Sequence, residues 1–129
     1  MLEAEKITDA ELEVLRALWA SREPMTLGQI KSALARSQGW NENTTKTLLR
    51  RLCQKGAAGQ EKREVYYYRP LVNRAQLERC RTQRLIDKLY AGSARDLVAS
   101  LVRHDQLQPQ DVEELRVMFQ TMWNGKEGE

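Results

Sequence analysis

Between residues 43 and 54, polar and basic side chains recur at the spacing of one helix face. At about 100° per residue, four of them point the same way and two flank them: Asn43, Thr47, Arg50 and Gln54, with Lys46 and Arg51. This outward set contains no acid. Asn, Gln, Arg and Lys side chains hydrogen-bond the edges of DNA bases, and Thr, Arg and Lys hydrogen-bond phosphates. The chemistry available to this face is therefore recognition of a polyanion. The opposite face is predicted to be buried and consists of Thr45, Leu48, Leu49, Leu52 and Cys53.

The positive charge of the chain is concentrated in the same region. The 129 residues carry a formal net charge of +3 at pH 7. Residues 40–70 hold seven Lys or Arg against three acids, a net charge of +4, whereas residues 1–39 carry −1 and residues 71–129 carry 0. Such asymmetry is expected when one surface faces a polyanion. A polar helix face is usually only solvated, but the absence of acids and the basic segment that follows favour DNA binding.

Catalytic and metal-binding chemistry has few candidates. His104 is the only histidine and belongs to no recognisable catalytic or metal-binding pattern, so we expect it at the surface or near a helix end. Cys53 and Cys80 have no second pair, which excludes a disulfide framework and a Cys-x-x-Cys zinc pattern. Both are interpreted as free thiols that pack as small apolar groups. We therefore expect no enzyme activity, no metal site and no cofactor.

The composition is that of a soluble globular protein with one domain or two small ones. It is 41% hydrophobic, enough for a core, and 30% charged. No segment approaches the roughly 20 consecutive apolar residues of a membrane-spanning helix. The acidic amino terminus lacks the apolar segment of a secretory signal. We expect a cytoplasmic protein without a membrane partner.

Two capping boxes predict the first two helices. Thr8 is followed three residues later by Glu11, and Thr26 by Gln29, a spacing at which each side chain can bond the other's backbone N–H. The second of these helices is expected to end at Gly39.

A third helix and a hairpin follow. Asn41 is a favourable N-cap for a helix that runs to Lys55, and Gly56 suits the left-handed position after it. The period of the pattern then changes from 3.6 to 2, which predicts strands over 57–62 and 65–69. No Asn-Gly or Asp-Gly marks the turn between them, so the register stays open.

Three further helices are predicted over 74–90, from Ser93 to about His104, and over 109–123. They present narrow apolar faces, and some fifty residues in three helices make a poor core by themselves. A symmetric dimer through this region would cover these faces. The residues predicted to form the dimer contact are Leu85, Leu89, Leu97, Leu101, Leu115, Met118, Phe119 and Met122.

Three helices followed by a two-stranded hairpin is the element order of a winged helix-turn-helix. In that fold the third helix enters the DNA major groove and the hairpin, the wing, lies along the backbone. The predicted fold is mainly α with a small β-hairpin wing: a DNA-binding domain over 1–72 and a helical dimerisation domain over 73–129. Lys62 and Arg63 at the hairpin turn are the expected wing contacts. The tyrosines at 66–68 could stack on bases, but packing within the hairpin is the preferred interpretation, since alternation turns at least one inward.

The sequence also resembles the bacterial BlaI/MecI/CopY repressors, which control β-lactam resistance or copper homeostasis genes. The resemblance spans almost the whole chain and is carried by ITDAELEVLRALW at 7–19, WNENTTKTLLRRLCQKG at 40–56, VYYYRP at 65–70 and a tail with DLVASLVRHDQL. It implies a homodimeric transcriptional repressor that binds a palindromic operator. Matching the family's recognition-helix block places the DNA contacts on Asn43, Thr44, Lys46, Thr47, Arg50 and Arg51.

Two departures from the family pattern concern induction. The copper-responsive branch has a cysteine-rich tail whose thiolates bind soft metal ions, whereas the tail here reads TMWNGKEGE, so metal sensing by that route is not expected. In the β-lactam branch a protease cuts an Asn-Phe bond, and the matching positions here are Ser100 and Leu101. The inducing signal and the cleavage stay open. The alternative function is a winged-helix module that binds protein, for which the acid-free helix face would be incidental.

Overall fold

A computed structural model describes residues 6–127, and its elements follow one another in the predicted order. Within these residues six helices are present: α1 (Asp9–Ala20), α2 (Leu27–Gln38), α3 (Glu42–Gln54), α4 (Arg74–Tyr90), α5 (Ala94–Arg103) and α6 (Pro109–Glu127). The helix starts agree with the predictions. Helix α6 continues past its predicted end at residue 123.

Both predicted capping boxes are present. The N–H of Thr8 donates to Oε1 of Glu11 at 2.9 Å, and the N–H of Glu11 donates to Oγ1 of Thr8 at 3.1 Å. Thr26 and Gln29 exchange the equivalent bonds at 2.9 and 3.2 Å. Gly39 ends α2 with φ of 65°, a left-handed conformation that glycine adopts without a steric cost.

The strands form a three-stranded antiparallel sheet. They are β1 (Met25–Thr26), β2 (Ala58–Lys62) and β3 (Tyr66–Pro70), in the spatial order β1-β3-β2. The predicted hairpin is β2 with β3, and its register places Gln60 opposite Tyr68. Strand β1 was not predicted, because two residues are too short for a period-2 pattern and their partner lies far along the chain.

The chain divides into two compact units, Met1–Arg84 and Leu85–Glu129. The core of the first unit lies among α1, α2, α3, the sheet and the start of α4. It consists of Ile7, Val14, Leu15, Leu18, Ile30, Leu34, Leu48, Leu49, Leu52, Ala57, Ala58 and Leu77. The boundary between the two units along the chain therefore falls within α4, after Leu77, whereas the predicted functional division was placed at residue 72. That functional division itself stays a prediction.

In the second unit, large apolar side chains are exposed. Ser93 caps α5, accepting the N–H of Asp96 at 3.1 Å, as predicted. Exposures between 43% and 64% are found for Leu85, Leu89, Val98, Val102, Val112, Val117, Met118, Phe119, Met122 and Trp123. Among residues 6–127, no helix is both long enough and apolar enough to span a membrane.

Candidate nucleic-acid interface

Helix α3 carries the six side chains that the family resemblance predicts as DNA contacts. Its start is set by Asn41, whose Oδ1 accepts the N–H of Thr44 at 2.9 Å. Gly56 follows its end with φ of 77°, the predicted left-handed position. The inner face is buried, as predicted, through Thr45, Leu48, Leu49 and Leu52. Burial of this face turns the opposite, polar face outward.

The outward face of α3 is open and basic. Asn43, Lys46, Arg50 and Arg51 are exposed, and Thr44 and Thr47 are half-buried. Within the described part of the chain, none of the three cationic side chains forms an ion pair. Like charges one turn apart, such as Lys46 and Arg50, mildly destabilise an isolated helix. A bound polyanion would remove that repulsion.

The two predicted wing contacts differ in their surroundings. Nζ of Lys62 lies 5.8 Å from the centroid of the Tyr66 ring. The guanidinium of Arg63 lies 4.7 Å from the centroid of the Tyr67 ring and donates to Oε2 of Glu61 at 3.3 Å. Both cations are exposed. Lys62 is therefore the more available of the two for an anion, because Arg63 already has an acidic partner.

A cleft of about 470 Å³ lies between α3 and the sheet. We call it the α3–sheet cleft; it is lined by Lys46, Arg50, Cys53, Gln54, Ala58, Gln60 and Tyr68. No acid is among its lining residues. Gln60 and Tyr68 are directly opposite in the β2–β3 register and therefore share one sheet face. No local pattern in the sequence relates this pair, because only the strand register brings the two side chains together.

Burial raises the pKa of the Cys53 thiol. Burial also raises the pKa of the Tyr68 hydroxyl, with a smaller contribution from Cys53 and Tyr66. Both groups therefore stay protonated at neutral pH, so the thiol is a poor nucleophile and the hydroxyl remains a hydrogen-bond donor. Cys53 packs against the core as predicted.

The remaining candidates are Cys80, His104 and the matched cleavage positions. Cys80 is exposed, so its interpretation as a packing group is wrong; Arg81, the next residue of α4, is the one that turns towards the start of α1. His104 is the C-cap of α5, with Nδ1 2.9 Å from the carbonyl oxygen of Ser100, as expected for a residue near a helix end. Ser100 and Leu101 are half-buried within α5. Among the described residues, no three His, Cys, Asp or Glu are grouped so as to hold a metal ion.

The fold and the open basic face of α3 define a winged helix-turn-helix protein. The sequence model described as penicillinase repressor matches residues 7–121, and the chain belongs to this family. It is 26% identical over 122 residues to the penicillinase repressor of Bacillus licheniformis, an alignment that covers 94% of each chain. It is 28% identical over 112 residues to the methicillin resistance regulatory protein MecI of Staphylococcus aureus strain N315, covering 86% of this chain and 90% of the relative.

A solved structure of a relative shows the same fold over part of this chain. The monomeric form of Bacillus licheniformis BlaI, solved in complex with the blaP half-operator, matches with a TM-score of 0.50 and 30% sequence identity. The match covers 58% of this chain and 92% of the BlaI chain.

Proposed function

We propose that this chain is a dimeric transcriptional repressor that inserts α3 into the major groove of operator DNA and blocks transcription by occupying the site. The observation that carries the proposal is the open face of α3. There three cations, none of which has an ion-pair partner among the residues that the structure describes, lie beside amide and hydroxyl groups, and no acid is part of the face. Its family of repressors, and the half-operator bound by the BlaI relative, support the same conclusion.

The side chains on α3 suit two kinds of contact. Asn hydrogen-bonds adenine and Arg hydrogen-bonds guanine through pairs of bonds in the major groove, which suits Asn43 to reading bases and Arg50 to contacting either a base or a phosphate. Lys46, Arg51 and Lys62 suit phosphates, which position the protein without reading sequence. Thr44 suits either contact. The Thr47 hydroxyl donates to the Asn43 carbonyl at 2.9 Å and keeps its lone pairs as acceptors, which suits it to the amino group of a base; to donate to a phosphate it would have to release that carbonyl.

Dimerisation through the second unit is part of the proposal. Its apolar side chains are 43% to 64% exposed in the single chain, a surface that an isolated soluble protein rarely leaves uncovered. A two-fold dimer would cover it and would set two α3 helices about one DNA turn, roughly 34 Å, or a multiple of it apart. Such a dimer would read a palindromic operator.

In the proposed mode of action, the protein occupies the operator and catalyses no reaction. It acts in the cytoplasm, where the DNA is. An inducing protease that cut between Ser100 and Leu101 would have to act on the interior of α5, where both residues are half-buried. Cleavage would therefore require local unwinding of that helix.

The test uses Arg50→Ala and Lys46→Ala. Both side chains are exposed, so the free energy of unfolding should change by no more than about 0.5 kcal/mol. Affinity for a duplex selected from random sequences by the parent protein should fall for both variants. Loss of a phosphate contact should flatten the plot of log K against log salt by about one unit of slope for each of the dimer-related contacts removed, and loss of a base contact should relax sequence preference.

Arg95→Ala is the matched control, because Arg95 is an exposed cation on α5 that pairs with Asp96 at 3.2 Å. It should bind the duplex like the parent. If Arg50→Ala and Lys46→Ala also match the parent at several salt concentrations, α3 does not bind DNA. A winged-helix module that binds protein would then be the better hypothesis.

A further inference from the structure

The α3–sheet cleft combines cations and neutral donors on two facing walls. Helix α3 contributes Lys46 and Arg50, and the sheet contributes Gln60 and Tyr68. The cleft has a volume of about 470 Å³ and no acidic residue lines it. Such a set of donors around a concave surface is suited to a small anionic group.

Contacts among the described residues do not explain why these four polar side chains line the cleft. Among the described residues, none forms a hydrogen bond with the Tyr68 hydroxyl or with the Gln60 amide, and neither Lys46 nor Arg50 has an acidic partner. Folding alone would favour a paired or apolar lining, because two cations one turn apart repel each other. An anion bound between the walls would pair all four groups.

We infer that the α3–sheet cleft binds a backbone phosphate of the DNA, and that Tyr68 and Gln60 donate hydrogen bonds to it beside Lys46 and Arg50. The inference rests on the proposed function and adds two contact residues to it. A recognition helix lies in the major groove while the wing lies along the backbone, so the space between helix and wing faces a sugar-phosphate strand. Strand alternation places Lys62 on the same sheet face as Gln60 and Tyr68, which continues the row of donors towards the wing turn.

A phosphate held in this cleft would fix how deeply and at what angle α3 enters the groove. The donors come from two different elements, and the phosphate would bridge them. Phosphate contacts of this kind carry no sequence information. Their loss should therefore weaken binding to every sequence by the same factor.

The experiment compares Tyr68→Phe and Gln60→Ala with the parent on two duplexes, one selected from random sequences and one unrelated to it. Tyr68→Phe removes a single neutral hydroxyl, and we expect about a tenfold loss of affinity on both duplexes, as for a hydrogen bond to a charged group. The salt slope should stay unchanged, because no charge is removed. Gln60→Ala should also weaken binding to both duplexes. Because Gln60 is exposed, this substitution should not impair folding.

A scan with single methylphosphonates, each neutralising one phosphate of the selected duplex, locates the contact. At one position per half-site the methylphosphonate should weaken binding by the parent. The same methylphosphonate should weaken binding by Tyr68→Phe little further, since the phosphate and the hydroxyl belong to one interaction. Tyr67→Phe is the matched control: Tyr67 lies on the other face of β3, so this variant should bind like the parent.

Three results would overturn the inference in different ways. If Tyr68→Phe and Gln60→Ala bind like the parent while Lys46→Ala and Arg50→Ala bind weakly, the cleft holds no phosphate and the proposed function stands. If none of the four variants changes affinity, the proposed function fails as well. A loss restricted to the selected duplex would show that the cleft contacts a base, which also contradicts the inference.

Discussion

At the scale of single residues, Glu11 is the clearest example of a side chain with two roles. It completes the capping box of α1, and its fully buried carboxylate also accepts a hydrogen bond from Nζ of Lys55 at 2.5 Å. Burial by itself raises the pKa of Glu11, but the hydrogen bonds from Lys55 and Thr8 and the charge of Lys55 outweigh it, so the pKa lies below its usual value. The ion pair therefore links the start of α1 to the end of α3.

The lowered pKa predicts how stability depends on pH. A carboxyl whose pKa is lower in the folded state adds stability above its unfolded pKa, about 4.3, and loses that contribution as the pH falls through the folded value. Urea denaturation between pH 3 and 7 should therefore show that the free energy of unfolding falls more steeply with decreasing pH for the parent than for Glu11→Gln. This variant keeps the capping box without the charge. Equal pH slopes in the two proteins would contradict the lowered pKa.

Removal of the Lys55 cation, the partner of Glu11, should lower the free energy of unfolding at neutral pH. Lys55→Met leaves the buried Glu11 carboxylate unpaired, and the free energy of unfolding should fall by about 3 kcal/mol. The control is Arg16→Met, which breaks an exposed pair with Glu13 at 3.4 Å and should change stability by less than about 1 kcal/mol. A small effect of Lys55→Met, similar to that of the control, would show that the buried pair does not stabilise the fold.

At the scale of elements, the orientation of α3 depends on the short turn that joins it to α2. Gly39 ends α2 in the left-handed conformation and Asn41 caps α3 two residues later. Asn41→Ala removes the acceptor for the Thr44 N–H and should lower the free energy of unfolding by about 1 kcal/mol, whereas Asn41→Ser keeps an acceptor and should stay close to the parent. Thermal or urea denaturation measures both.

Gly39→Ala tests the other half of this turn. A Cβ at Gly39 would meet nothing within 4 Å, so its cost is that of the left-handed backbone alone, about 1 to 2 kcal/mol. Gly39→Asn, a residue that tolerates this conformation, should lose less. Equal losses for the two variants would show that φ at this position is not the cause.

At the scale of the whole molecule, the first unit ends later than the predicted DNA-binding domain. Leu77 is 3% exposed, and Arg81 donates to the Ile7 carbonyl and to Asp9, both at 2.8 Å. A fragment of residues 1–84 should therefore fold. A fragment of residues 1–72 loses the buried Leu77 side chain and should be less stable by about 2 to 5 kcal/mol, as in buried Leu→Ala changes. Urea denaturation of the two fragments distinguishes these outcomes.

The same division predicts the oligomeric state. The 1–84 fragment should be a monomer by sedimentation equilibrium, and its operator affinity should fall by orders of magnitude because one linked molecule no longer binds two half-sites. In the full chain, Phe119→Glu places a charge at an apolar side chain that is 64% exposed and should dissociate the proposed dimer. Gln120→Glu adds the same charge beside it and should remain dimeric. A dimeric fragment would place the interface in the first unit.

The sequence by itself determined the features that depend on neighbouring residues. Capping residues and the residues that they bond are three positions apart, as at Thr8 and Ser93, so the helix starts could be predicted from local patterns. Periodicity identified the outward face of α3 and the hairpin for the same reason.

Only the tertiary structure decided the features that join distant parts of the chain. Lys55 lies 44 residues from Glu11 and Arg81 lies 72 residues from Asp9, and no local pattern relates such pairs. Strand β1 exists only because β3 offers it a partner, and the facing of Gln60 and Tyr68 follows from the strand register. These contacts form because packing of the core brings remote elements together, so they depend on the fold as a whole and not on any one segment.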